Sequence, residues 1–423
     1  MLKIVRSDIV KNAGKLLSAN VVAQVVALLV YPVLTRLYAP EDFGLLTFFL
    51  NIGNLIVLVA TMEYQYAVLL AKEHRESVAA VQLSALLSAG WLVVLCLLLP
   101  FRGWFASVFH IEENTDCLWL LPLYVAGGAG WNILNMYLTR RKAFGRLSGY
   151  KLTNGLLAPV GKMAFGFAGL TSFGLIVASV AASLAALLLT IGKRIGRWWK
   201  KLWQVDRDAL RTVAKEYRKF PLFSLPRALV NTLGIALPAL VLTPVFGLKD
   251  LGFFSMALTL AFMPITLIVN SFQQVLFQKV TEKVHARQPI LGAIRQLTLK
   301  TLIAVVPLFV VLYFPLPWLT GWLLGAEWTV TGEYIRRMLP WLLMVCLNGT
   351  ICFVADVFMA QGVGLLFECA IMLARLAGLL AGVWLQRFDV AIAGYIAGTT
   401  VVLVAQLVWY YLLIGRYERT LKG

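Results

Sequence analysis

Long apolar runs separated by brief polar interruptions make up the chain almost from end to end. They do not alternate with the two-residue period of a half-buried strand, and most are long enough to cross about 30 Å of hydrocarbon as helices. The pattern predicts twelve helices, near 14–37, 43–71, 77–100, 117–139, 148–169, 171–192, 217–246, 252–278, 296–318, 332–358, 362–385 and 389–415. Backbone polar groups in lipid must be satisfied internally, which leaves helices or a closed β-barrel, and barrel strands would show short alternating segments. The expected class is an all-α polytopic membrane protein.

Composition agrees: 60% of residues are hydrophobic and 14% charged, with a mean hydropathy of +0.81. A soluble domain of this length would expose far more polar surface. The stretch LLSANVVAQVVALLVYPVL is too long for a signal-peptide core and reads as an uncleaved first helix. With both termini inside, 29 Lys and Arg fall on inside-facing segments and 6 on outside-facing ones. The positive-inside rule therefore places both ends in the cytoplasm of a multi-pass protein. The net charge of +18, and basic aromatic stretches such as RWWKKLW, are read as contacts with anionic membrane lipids rather than nucleic acid. Residues 192–219 are expected to form an amphipathic helix on the cytoplasmic leaflet. Five scattered cysteines and three isolated histidines suggest neither disulfides nor a metal centre. No GxxxxGK[ST] motif occurs, so nucleotide hydrolysis is not expected, and no cofactor is implied.

One short motif recurs. YAPEDFG (38–44) and FGLKDLG (246–252) align at an offset of 208, so that Tyr38, Asp42, Gly44 and Thr47 face Phe246, Asp250, Gly252 and Ser255. Each reads as a tight turn outside the membrane: Pro40 ends one helix, Asp42 caps the next, and Gly247 is the expected C-cap of the second copy. The repetition implies two related six-helix bundles, 1–192 and 217–423, joined by a basic linker, 193–216. An even span number gives the halves the same orientation, with a pseudo-two-fold axis along the membrane normal and a cavity between them.

The stretch KFPLFSLPRALVNTLGIALPALVLTPVFGLKDLGFFSMALTLAFMPITLIVNSFQQVLF (219–277) resembles the seventh and eighth helices of bacterial Wzx-type oligosaccharide flippases. These belong to the multidrug/oligosaccharidyl-lipid/polysaccharide exporter superfamily. The YAPEDFG turn, EYQYAVLLAKEHRESVAAVQLSALL (63–87) and LTGWLLGAEWTVTGEYIRRMLPW (319–341) fit the same branch. The resemblance implies a cargo, oligosaccharide repeat units on undecaprenyl diphosphate, moved between leaflets of the bacterial inner membrane for O-antigen, capsule or exopolysaccharide assembly. It also implies a polymerase and a chain-length regulator as pathway partners.

A diphosphate-linked sugar needs cations for the diphosphate and polar groups for hydroxyls. Ionisable residues inside spans are costly, so each is a functional candidate. The candidate cations are Arg227, Lys162, Arg375 and Arg36. Arg227 and Glu63 lie at similar depths and are expected to face each other across the cavity; the competing reading is a structural ion pair. Glu63, Glu368 and Asp356 are candidate ion-coupling or pairing acids, Asp356 being also a solvated group near a helix end. Asn231, Asn270, Gln273, Gln274, Asn132 and Asn135 are candidate sugar contacts, against the alternative of bonds between helices. Two other functions compete. A multidrug or small-amphiphile exporter of the same superfamily would favour cavity acids, whereas the three deep cations here match the three acids. A membrane polysaccharide polymerase or ligase would need a large outside loop with a catalytic set, and the longest here, FRGWFASVFHIEENTD (101–116), is short.

Overall fold

The computed structural model describes residues 21–192 and 206–422, without the side chains of 267–268, 270–279, 285 and 422. Among the described residues the protein is all-helical. Helices α1 (residues 21–37), α2 (Pro40–Thr61), α3 (Ala67–Leu70), α4 (His74–Leu98), α5 (Arg102–Val108), α6 (Leu121–Arg140), α7 (Phe144–Phe167), α8 (Ser172–Ile191) and α9 (Arg207–Glu216) are followed by α10 (Leu225–His285). Then come α11 (Leu291–Tyr313), α12 (Leu316–Leu324), α13 (Thr329–Ile351), α14 (Phe353–Val357), α15 (Gln361–Trp384) and α16 (Phe388–Lys422).

Nine described stretches are helical, long and apolar enough to cross a membrane. One of them, Phe220–Thr266, carries two of the twelve expected spans, divided at Gly247, whose φ of 84° interrupts α10. The other two are α1, of which only residues 21–37 are described, and α7, whose Lys151 and Lys162 lower its hydropathy. By packing, the chain divides into one compact unit through Pro244 and a second from Val245.

The YAPEDFG turn works as its residues suggest. Pro40 opens α2, where its missing N–H costs nothing. The Asp42 carboxylate accepts the Ala39 N–H at 2.9 Å and, through its other oxygen, the Ser172 hydroxyl at the start of α8. Tyr38 donates its hydroxyl to the Lys162 carbonyl of α7 at 2.7 Å and meets Phe43 edge to face. The motif thus ties the α1–α2 turn to α7 and α8. Asp42 is buried, so Asp42→Ala removes one acceptor from two donors and is expected to cost about 1–3 kcal/mol. Thermal unfolding of the detergent-purified protein measures this; Asp42→Asn, which keeps an acceptor, should lose less, and an unchanged midpoint for Asp42→Ala would show that the turn is held some other way. In the second copy Gly247 has the expected positive φ, but the pivot occupies a single residue within α10 rather than a loop.

Two other expectations shift. The second span, expected over 43–71, ends at Thr61; Met62 and Glu63 break it, and a short turn (Tyr64–Tyr66) and α3 follow. Arg140 at the end of α6 closes this break. Its guanidinium donates to the carbonyls of Val68, Leu69 and Ala71 at 3.1, 3.2 and 2.5 Å, and to Glu73 at 3.4 Å. Of the linker, residues 193–205 lie outside the described residues, but α9 is amphipathic as expected. Its apolar face is covered by protein: Val213 is buried in a cluster with Ala67, Val68, Ala79, Ala80 and Ile133. Arg75 pairs with Asp206, which also caps α9 by accepting the Ala209 N–H at 3.1 Å, and Tyr64 donates to the Ala214 carbonyl at 3.1 Å. The Ala209 N–H, and after it Arg75, hold the Asp206 carboxyl below the usual carboxylate range.

In the second unit α15 and α16 form a tight antiparallel hairpin. A Cβ on Gly378 would lie 2.2–2.5 Å from the backbone of Gly394 and Tyr395, and one on Gly382 would lie 2.2–2.3 Å from Ala391. Lys249 of α10 pairs with Glu327 at 3.0 Å, and Thr331 donates to the Phe253 carbonyl at 3.4 Å, joining α13 to α10.

Candidate functional site

Helical spacing builds a chamber inside the first unit. Side chains three or four residues apart share a helix face. Leu50, Asn54, Val57 and Leu58 form such a stripe on α2, and Tyr124, Gly128, Trp131 and Asn132 form one on α6. Tyr150, Asn154 and Ala158 on α7 and Ser179 and Ser183 on α8 do the same, and Thr232 of α10 completes the lining. The space they line is about 520 Å³. Gly128 sets its size on one side, because a Cβ there would come within 2.7 Å of the Val57 side chain.

The polar groups are held in place. Tyr124 donates its hydroxyl to Asn54 Oδ1 at 2.8 Å, Tyr150 and Ser183 hydroxyls lie 3.4 Å apart, and Ser179 donates to the Leu175 carbonyl at 2.8 Å. Trp131 and Tyr150 lie flat on each other, with ring centroids 3.5 Å apart and planes 7° from parallel. Phe49 braces Tyr124 edge to face at 5.6 Å. Among the described residues no charged side chain lines the chamber. Three amides, several hydroxyls and flat aromatic rings offer both donors and acceptors beside apolar faces. This chemistry suits a neutral polyhydroxylated ligand, and it offers no counter-charge to an ion.

Of the candidates from sequence, Asn132 lines the chamber, and Asn135, half-buried on the same helix, does not. Asn231 is exposed on α10, and the side chains of Asn270, Gln273 and Gln274 lie outside the described residues. Arg227 is exposed near the start of α10 and makes no ion pair with Glu63. Glu63 is instead buried at the break after α2, accepting from Gln65 Nε2 at 3.3 Å. Lys162 is half-buried on α7, and Arg36 is exposed at the end of α1. Arg375 on α15 places its guanidinium 5.2 Å from the ring of buried Tyr395, with Glu368 half-buried on the same helix. Asp356 is exposed on α14. The chamber residues passed over were Asn54, Asn154, Ser179, Ser183 and the aromatic trio Tyr124, Trp131 and Tyr150. Their four-residue spacing within each helix was a readable signal; which faces meet was not.

Several solved structures share this fold. An inward-facing multidrug resistance MATE family transporter of the MOP superfamily aligns with a TM-score of 0.65 at 14% identity, over 94% of this chain and 96% of the other. The lipid II flippase MurJ, in an inward closed conformation, aligns with a TM-score of 0.69 at 12% identity, over 95% of this chain and 91% of its own. An outward-facing MATE family transporter aligns with a TM-score of 0.57 at 15% identity, over 97% and 96% of the two chains. Among curated protein sequences none matches this chain. The model of one family, described as polysaccharide biosynthesis protein, matches residues 33–333, most of the length and all the helices that line the chamber. This multi-pass membrane protein belongs to that polysaccharide biosynthesis protein family.

Proposed function

We propose that the protein is a flippase that moves undecaprenyl-diphosphate-linked oligosaccharide repeat units from the cytoplasmic to the periplasmic leaflet of the bacterial inner membrane. The units feed O-antigen, capsule or exopolysaccharide assembly, with a polymerase and a chain-length regulator acting after it. The observation that carries this reading is the neutral chamber of amides, hydroxyls and stacked aromatic rings in a member of a polysaccharide biosynthesis family. Such a lining meets sugar hydroxyls with paired donors and acceptors, whereas a cationic drug would be met by a carboxylate, and among the described residues none lines the chamber. In the same reading both termini are cytoplasmic and residues 1–192 and 217–423 are the two halves that alternate, joined by 193–216. The exposed Arg227, together with Lys162, Arg375 and Arg36, serves the diphosphate, and Glu368 and Asp356 balance those charges.

The test is a leaflet assay on the purified protein in liposomes. Undecaprenyl-diphosphate oligosaccharide is loaded in one leaflet, and its arrival in the other is followed with a membrane-impermeant lectin. The expected result is protein-dependent movement that a cationic amphiphile does not compete away. Export of the amphiphile without movement of the lipid-linked sugar would replace this reading with a multidrug exporter.

A further inference from the structure

The break in the second span has a chemistry of its own. Helix α2 stops at Thr61, and Met62 and Glu63 take positive φ angles of 47° and 62°. Residues with side chains rarely adopt that conformation, and two in succession persist only where their surroundings hold them. Those surroundings bury Glu63 to 6% exposure and Gln65 to 4%.

Among the described residues no Lys, Arg or His lies within ion-pair distance of Glu63, and its one hydrogen bond comes from the neutral amide of Gln65. The other end of that amide, Gln65 Oε1, is buried with no donor. Arg140 of α6 is turned onto the carbonyls of Val68, Leu69, Ala71 and Glu73. Helices α4 and α9 pack Ala79, Ala80, Val81 and Val213 onto the neighbouring α3, and the polar side chains that α4 buries, Ser77, Gln82, Ser84 and Ser88, are all uncharged. Tyr66, on the same turn, feels the Glu63 charge and adds none that opposes it. The C-terminal end of α2 contributes the negative pole of a helix dipole.

A carboxylate removed from water without a counter-charge is costly, by several kcal/mol, so such groups are found paired or holding an ion. Here a carboxylate and an orphan amide oxygen meet at the C-terminal end of an interrupted helix, whose Val59 and Ala60 carbonyls accept from the Met62 N–H and the Ser88 hydroxyl. These are hard oxygen donors, and unwound backbone at a half-helix C-terminus is where membrane transporters hold small cations. We propose that the Met62–Glu63 break is a binding site for sodium, held by the Glu63 carboxylate and the Gln65 side-chain oxygen. The ion displaces the amide N–H from Glu63, and the Gln65 amide turns end over end so that Oε1 faces the carboxylate. This site is separate from the chamber and does not depend on the cargo.

Radiosodium retention by the full-length protein in detergent, at constant ionic strength with choline as replacement, tests the proposal directly. Wild type is expected to show saturable retention. Glu63→Gln, which keeps the shape and the hydrogen-bonding capacity, should bind at least about tenfold more weakly, and Gln65→Leu should be weakened to a smaller degree. Glu112→Gln, an exposed acid on the loop before α6, should bind as wild type does. Sodium should also raise the unfolding midpoint of wild type but not of Glu63→Gln, a readout that guards against misfolded variants. No saturable retention by wild type, or equal retention by folded Glu63→Gln, overturns the site.

Discussion

Gly378→Ala is expected to destabilise the second unit severely, although it adds a single methyl group. The added carbon would sit 2.2 Å from the Gly394 carbonyl carbon and 2.5 Å from its oxygen. Backbone on both sides means that no side chain can swing away, so α15 and α16 must separate along their length. Overpacking of well-fitted cores costs about 1–3 kcal/mol, and here the loss extends to every contact of the hairpin. Gly382 against Ala391 and Gly398 against Ala374 lie on the same seam, so the helices cannot part at one point alone. Small residues four apart are what lets membrane helices approach this closely. The internal control is Gly364→Ala on α15 and Gly415→Ala on α16, where the new carbon would meet nothing within 4 Å. These two should be neutral or slightly stabilising, since alanine is favoured over glycine in a helix by about 1 kcal/mol. Monodispersity on gel filtration and thermal midpoints in detergent separate the two sets; equal behaviour across all of them would mean that the crossing is looser than drawn.

The second large effect is on transport. Asn132→Leu and Asn154→Leu replace chamber amides by apolar groups of similar size. Each leaves cargo hydroxyls without their amide partner, a loss of about 1–3 kcal/mol, or roughly tenfold or more in rate per site. The double variant should approach the background of protein-free liposomes. Asn135→Leu, on the same helix but outside the lining, should transport near the wild-type rate. The leaflet assay measures all of these with thermal midpoints as the check on folding. Unimpaired movement in the double variant would take the chamber off the cargo path, while the family membership and the fold would stand.

These predictions differ in how far the sequence alone could have led to them. The helical class needed nothing beyond the length and charge-poverty of the apolar runs. The YAPEDFG turn was legible because Pro40 and Asp42 act on their own neighbours: one opens a helix, the other accepts the Ala39 N–H. Gly247 was legible for the same reason, since its role is set by its own φ. The pairs Gly378/Gly382 and Gly394/Gly398 were visible as four-residue spacings, but nothing local says that one pair lies on the other.

The candidate site was less legible. Charge within a span drew attention to Arg227, Lys162 and Arg375, because ions are costly in lipid. Yet the chamber is lined by neutral groups, of which only Asn132 had been singled out. An asparagine, a serine or a tyrosine is cheap enough in a span to pass as a bond between helices. Whether it faces a partner, the lipid or an open space depends on rotations of α2, α6, α7 and α8 that their own sequences leave undetermined. The same holds for Glu63. Sequence placed it at the depth of Arg227, but depth along a helix axis says nothing once two residues break the helix and the side chain is buried at the break. What the sequence determined by itself are the features set within a turn of backbone: the helical class, the YAPEDFG turn and the pivot at Gly247. What only the tertiary structure decided is which faces meet. Packing of helices in lipid is chosen by the shape of many small contacts summed over whole helices, and no single residue encodes it.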